Sequence, residues 1–252
     1  MEKVNAVSPS RLEEIKIRFS PFLKEVKKRF LFVLYTFLVS MFVGFFFYEK
    51  IIKFLVDLLS LDGINIVFTS PFQFINLSIS CGVATGLIII FPIVIYQVLS
   101  FLRPALKERE YKLVTRFLPF SLLLFLIGFI FGALIMKWQI DIFLARSVSL
   151  GIGNVLDISR LLSVVLLTSS LMGVGFQFPV VLLVLLRMKI IDRKDLTKRR
   201  PYIYLGSFIF ALFLPPDSIL ADILLTLPLI ILFEFTMLMD YFLGSKRNEK
   251  TK

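Results

Sequence analysis

The sequence predicts an all-α, polytopic membrane protein with six transmembrane helices, both termini on the cytoplasmic side, and a short final hairpin. Three observations predict it. Of 252 residues, 58% are hydrophobic and 19% charged, with a mean hydropathy of +0.88; soluble domains run nearer about half apolar and about a quarter charged. The charge is gathered between long uncharged runs, most of them near the roughly 20 residues a helix needs to cross about 30 Å of hydrocarbon. Finally, 24 of the 29 Lys and Arg fall on one side of the six runs and five on the other. Bases near span ends resist translocation, so the richer side is cytoplasmic.

Residues 1–29 are too charged to cross. SRLEEIKIRF and PFLKEVKKRF mix apolar and charged residues at helical spacing, which suits an amphipathic segment on the cytoplasmic surface. No small-residue cleavage pattern follows Phe30–Tyr48, so this stretch is expected to stay as the first span, Phe30–Phe47, and not to be removed as a signal peptide. A polar segment, Tyr48–Thr69, comes next. Ser70-Pro71 is a helix start, with Ser as the cap and Pro in the first turn. The uncharged run from there to Leu102 exceeds what a bilayer requires and contains Pro92, which removes a backbone bond and should bend the helix. Gly82 and Gly86 are spaced small-xxx-small, as close helix approach requires.

The third span is Phe117–Met136. An outer loop, Lys137–Arg160, is expected to be partly helical. The fourth span is Leu161–Leu186, with Gly173, Gly175, Gln177 and Pro179 crowded in its inner half. After the basic loop Arg187–Arg200, Pro201–Leu214 has about 14 residues, about 21 Å as a helix and short of the hydrocarbon thickness. Pro215-Pro216-Asp217 turns, and Ile219–Tyr241 returns. The chain thus divides into a cytoplasmic amphipathic segment (1–29), a six-helix membrane domain (30–242) and a basic cytoplasmic tail (243–252).

What is absent narrows the function. The chain has no His and one Cys, Cys81, which excludes a Ser–His dyad, a His-ligated metal and an intramolecular disulfide. No phosphate-binding glycine loop or nucleophile elbow is present. Neither an enzyme nor a cofactor protein is expected, and no soluble segment is long enough for a nucleic-acid-binding domain.

The remaining candidates are polar groups in unexpected places. Glu110 lies in the loop FLRPALKEREYKLVTR (Phe101–Arg116) among five bases. It is either paired along a helix surface, worth a few tenths of a kcal/mol, or a carboxylate kept for an incoming cation. Glu25 sits within helical reach of Lys28 and Arg29, with the same two explanations. Glu234 is the one ionisable residue marked as deep in a span. Such a charge is a functional hypothesis by default, against which stands a paired or snorkelling structural Glu. Gln177 is expected to hydrogen-bond a neighbouring helix, either a partner's or its own chain's, with Glu234 as the internal candidate.

Taken in order, FLKEVKKRF (Phe22–Phe30), SPF (Ser70–Phe72), FPIVIYQVLSFLRPAL (Phe91–Leu106), GVGFQFP (Gly173–Pro179), DLTKRRPY (Asp195–Tyr202), LPPD (Leu214–Asp217) and LFE (Leu232–Glu234) resemble the TatC family. That family is the receptor subunit of the twin-arginine protein translocase. The resemblance implies export of folded proteins bearing Arg-Arg signal peptides, driven by the proton-motive force from the cell membrane. Single-span TatA- and TatB-type partners and a homo-oligomer are implied with it. It places signal-recognition acids at Glu25 and Glu110, with Lys27 where the motif has Arg, and makes Gln177 and Glu234 intramembrane polar positions facing partner helices. Pro71, Pro92, Pro104, Pro216 and Asp217 are structural. The chain departs from the family pattern at Phe22 (His), Lys27 (Arg), Trp138 (Pro), Gln177 (Glu) and Ala221 (Gln). A secondary transporter or permease, or a divergent paralogue serving as an assembly scaffold, are the alternatives.

Overall fold

Nearly every residue described in the computed structural model is helical. Residues 9–59, 66–67, 70–103, 108–151, 156–187, 190–215 and 218–249 are described; Pro104, Pro216 and Asp217 lie outside them. Helix α1 (Pro9–Phe46) is followed after one turn residue by α2 (Tyr48–Leu59), then β1 (Ile66–Val67), α3 (Gln73–Leu102) and α4 (Glu108–Ser149). Next come β2 (Leu156–Asp157), α5 (Ile158–Gly175), α6 (Phe178–Arg187), α7 (Arg193–Lys198), α8 (Arg200–Leu212) and α9 (Ile219–Glu249). Five segments among the described residues are long and apolar enough to cross a membrane: Leu23–Phe46, Gln73–Val98, Pro119–Ser149, Ile158–Leu186 and Ile219–Tyr241. The sixth expected crossing is α8, whose 13 residues give about 20 Å.

Several boundaries differ from the sequence expectation, each for a physical reason. Helix α1 runs unbroken through Arg29, because apolar and charged residues there share one helical period and nothing ends the helix. The polar stretch after it forms an amphipathic helix, α2, which turns Leu55 and Leu59 into the core. Lys137, Asp141 and Arg146 do not end the third span; α4 continues past them for 42 residues in all, about 63 Å. The fourth span breaks at Phe176–Gln177 into α5 and α6. Pro179 has no N–H for the carbonyl of Gly175, four residues back, so the ladder cannot continue there. Ser70 does accept from the Phe72 N–H, at 3.4 Å, but α3 begins at Gln73. Pro92 lies inside α3 without ending it.

Helix α1 rests chiefly on α3, α4 on α5, α3 also on α5, and α9 on α8 and α6. The α1–α3 seam is built on small residues, as the spacing of Gly82 and Gly86 predicts. A Cβ on Gly82 would stand 2.7 Å from the Met41 carbonyl oxygen, and one on Gly86 2.8 Å from the Phe37 ring. With no hydrophobic drive between helices in lipid, such close backbone contact supplies the attraction. A second seam, which the sequence reading did not mark, joins Gly128 and Gly132 of α4 to Phe176, Met172 and Ser169.

Among the described residues, three buried clusters follow the bundle from end to end. Leu55, Leu59, Leu77, Cys81, Met136, Leu162 and Val165 join α2 to α3, α4 and α5. Leu124, Met172, Phe176, Ala211, Leu225 and Leu229 set the α8–α9 hairpin against α4 and α5. Leu182, Leu196, Phe233 and Met237 close the far end. At the α2 end, β1 and β2 pair in parallel, Ile66 with Leu156 and Val67 with Asp157. Asp157 there caps α5 by accepting from the Arg160 N–H and also accepts from Gln73 Nε2. Ser159 Oγ donates to the Gln73 carbonyl at 2.7 Å.

Candidate functional site

The basic end of the molecule carries the first candidates. Glu25 and Lys27 lie exposed on α1, beside exposed Lys24 and Lys28. One helical turn brings Arg29 onto the face of Glu25, in the more favourable order of acid before base. Arg29 donates to one oxygen of that carboxylate from Nε at 3.0 Å and Nη2 at 2.7 Å. Its third nitrogen, Nη1, crosses to α3 and donates to the Gln97 side-chain oxygen at 2.8 Å and the Gln97 carbonyl at 3.2 Å. The guanidinium also lies 5.9 Å from the centre of the Phe101 ring. Glu25 therefore has the helix-surface pair that sequence allowed it, and that pair is tied to α3.

Two residues beyond Phe101, Arg103 lies 5.5 Å from the centre of the Tyr111 ring. That contact bridges the end of α3 and the start of α4. Glu110, next to Tyr111, is in the first turn of α4, where the helix N-terminus carries partial positive charge; its side chain is outside the described set. The elements bearing Glu25 and Glu110 thus both contact the same end of α3.

Inside the bundle, Gln177 is 7% exposed and fully engaged within its own chain. Its Oε1 accepts from Ser121 Oγ at 2.5 Å; its Nε2 donates to the Ser121 carbonyl at 3.1 Å and to the Gly173 carbonyl at 3.3 Å. The local backbone explains the last bond. At the α5 break the Gln177 N–H donates to Val174, three residues back, so the side-chain amide serves the Gly173 carbonyl that the backbone no longer reaches. The glycines beside it are filled from within as well, Gly173 by Phe125 and Gly175 by Phe210 and Leu229.

Gln177 and Glu234 do not meet. Glu234 on α9 accepts from the Tyr204 hydroxyl at 2.5 Å and pairs with Arg200 at 3.1 Å, both on α8. It is a half-exposed, paired carboxylate that ties the two arms of the short hairpin together. Sequence reasoning missed a second acid, Asp222, which is 6% exposed in the first turn of α9. Its signal was present, an acid four residues into an otherwise apolar run at the favourable end of the helix dipole. Ser121, Gln97 and Tyr204 were also missed; a Ser, Gln or Tyr inside a span carries no sequence mark of its partner.

Among the described residues no cluster of His, Cys, Asp and Glu suits a metal ion. Two concavities lie among the described residues, a mostly apolar hollow of about 420 Å³ between α4, α5 and Pro215 and one of about 450 Å³ around Ile191, Asp195, Arg199 and Tyr202.

Comparison with known proteins agrees with this architecture along most of its length. The family model for Sec-independent protein translocase protein (TatC) matches residues 21–228. A TatC protein of Listeria innocua is 30% identical over 235 residues, covering 92% of this chain and 94% of its own. One from Escherichia coli K12 is 34% identical over 166 residues, 66% of this chain and 64% of its own. A crystal structure of the twin-arginine translocase receptor TatC in DDM superposes with a TM-score of 0.76 at 25% identity, over 86% of this chain and 98% of that one. The helical order, the short α8–α9 hairpin and the matched span place the chain in the TatC family of Sec-independent protein translocases.

Proposed function

We propose that this chain is the receptor and core subunit of a twin-arginine translocase. It binds Arg-Arg signal peptides of folded precursors at its cytoplasmic face through Glu25 and Glu110, with Lys27 beside the first acid. The observation that carries this is the convergence of α1 and the first turn of α4 at one end of α3, each bearing an acid in a base-rich segment. A carboxylate takes a guanidinium through two parallel N–H bonds, so two carboxylates can divide two adjacent arginines. The surrounding Lys and Arg repel cations that lack that fit. Six crossings with both termini inside, a homo-oligomer, and single-span TatA- and TatB-type subunits drawing on the proton-motive force complete the proposal. Gln177 and Glu234 then act through the helix faces they hold in place, since both side chains are engaged within the chain.

The test is peptide binding to the purified chain. Charge-assisted pairs of this kind contribute about 1–3 kcal/mol, so Glu110→Gln is expected to weaken Arg-Arg peptide binding roughly tenfold. A Lys-Lys peptide should bind the wild type worse, because Lys lacks the fork. Equal binding of both peptides would overturn the assignment.

A further inference from the structure

The carboxylate of Glu25 already holds a guanidinium. Arg29 meets it with Nε and Nη2, the same pair of donors that an incoming arginine would present. What sets Arg29 apart from an ordinary helix-surface partner is its other half. Nη1 is fixed by two bonds to Gln97, and the guanidinium lies by the Phe101 ring, both on α3. If Glu25 were taken by a ligand, Arg29 would keep these α3 contacts and would not be left unpaired at the membrane edge.

Resting on the function proposed above, we propose that Arg29 is a specificity-determining residue: an internal competitor for the Glu25 seat that an incoming arginine must displace. Discrimination between ligands is a difference of affinities, and it sharpens when the weaker ligand must also break a contact it cannot match. An incoming guanidinium replaces the Nε and Nη2 bonds one for one. An ammonium offers a point charge without the fork, and so recovers less of what it displaces. Selection of Arg over Lys at Glu25 then comes partly from the resident arginine and not wholly from the carboxylate. Gln97 works in the opposite sense. By drawing Nη1 toward α3 it gives Arg29 an alternative hold and lowers the cost of yielding the seat.

The two residues therefore predict effects of opposite sign, which a merely structural clamp between α1 and α3 does not. The experiment measures binding of fluorescent Arg-Arg and Lys-Lys signal peptides to the full chain in lipid nanodiscs, with thermal unfolding followed in parallel. Arg29→Gln is expected to bind the Arg-Arg peptide roughly three- to tenfold tighter, and to narrow the gap between the two peptides. Arg29→Lys, which keeps a cation but loses the fork, should shift the same way by less. Gln97→Leu, which removes the 2.8 Å side-chain bond and leaves Nη1 only the backbone carbonyl on α3, should weaken Arg-Arg binding about two- to threefold. Glu25→Gln should weaken it in every background.

If Glu25→Gln weakens binding while Arg29→Gln weakens it too, or leaves it unchanged, Arg29 only orients the carboxylate and the competitor role is overturned. Parallel losses of binding and thermal stability in Arg29→Gln and Gln97→Leu would overturn it in favour of a clamp. If Glu25→Gln leaves binding intact, the underlying assignment of Glu25 fails with it.

Discussion

Gln177 shows how much one amide can hold. It offers two N–H donors and one acceptor to three groups: Ser121 Oγ, the Ser121 carbonyl and the Gly173 carbonyl. In hydrocarbon no water replaces a lost bond. Gln177→Leu is therefore expected to destabilise the isolated chain in detergent by about 1–2 kcal/mol, read as a lower unfolding temperature or denaturant midpoint. Ser121→Ala, which removes only the hydroxyl, should cost less. Gln177→Glu keeps the acceptor, gives up both amide donors, and should fall between wild type and Leu. Glu234→Gln should rescue none of these, because Glu234 is engaged with Tyr204 and Arg200; rescue would mean that the two groups communicate. That Gln177 must bond a helix was legible from a polar residue at that depth. Which helix was not, since Ser121 is 56 residues away and a serine in a span is too common to point anywhere.

At the scale of elements, the hairpin of α8 and α9 joins a short arm to a long one. Helix α9 has 31 residues and α8 has 13, so the two arms cannot span the same thickness. The hairpin is held to itself by Arg200 and Tyr204 on Glu234, and to the body through Ala211, Leu214, Leu225 and Leu229. Inserting Leu-Ala-Leu-Leu after Ile209 restores a nominal crossing length but moves Ala211 and Leu214 off their contacts by about one turn. Membrane insertion should survive, as read by protease protection, while export of a reporter precursor is lost. Full export would mean that the short arm is incidental. The long uncharged runs were legible because hydrocarbon thickness fixes their length. Helix α2 was not, and the far half of α4 only as a partly helical loop, because Lys50, Lys53, Asp57, Lys137 and Asp141 look like loop residues until the helices are seen to carry them. The break at Phe176–Gln177 had one sign, Pro179, inside an otherwise continuous run.

For the whole molecule, the distribution of bases predicts an orientation that chemistry can check. Cysteines placed at Lys107 and Lys194 should react only with reagents applied from the cytoplasmic side, and one at Gly153 only from outside. Cys81 is fully buried, and Cys81→Ala supplies a silent background. Labelling of Lys107 from outside would remove both acids from the compartment where precursors wait. The order of motifs made the overall family legible, because hydropathy, turns and the short hairpin all had to agree. The convergence of α1 and α4 on the end of α3 was not legible, because it depends on Arg29–Gln97 and Arg103–Tyr111, contacts between residues that look ordinary apart.

The small parallel pairing of β1 with β2 has a consequence for how the chain is built. Together with Gln73 on Asp157 and Ser159 on Gln73, it joins segments 84 to 90 residues apart. Loop-closure entropy must be met before such distant contacts return anything. Helices α1 and α3 can settle on each other while the ribosome is still making α4, but this knot cannot be tied until α5 has emerged. This β1–β2 cap is thus a late event in biogenesis, and it records that both halves of the bundle have arrived.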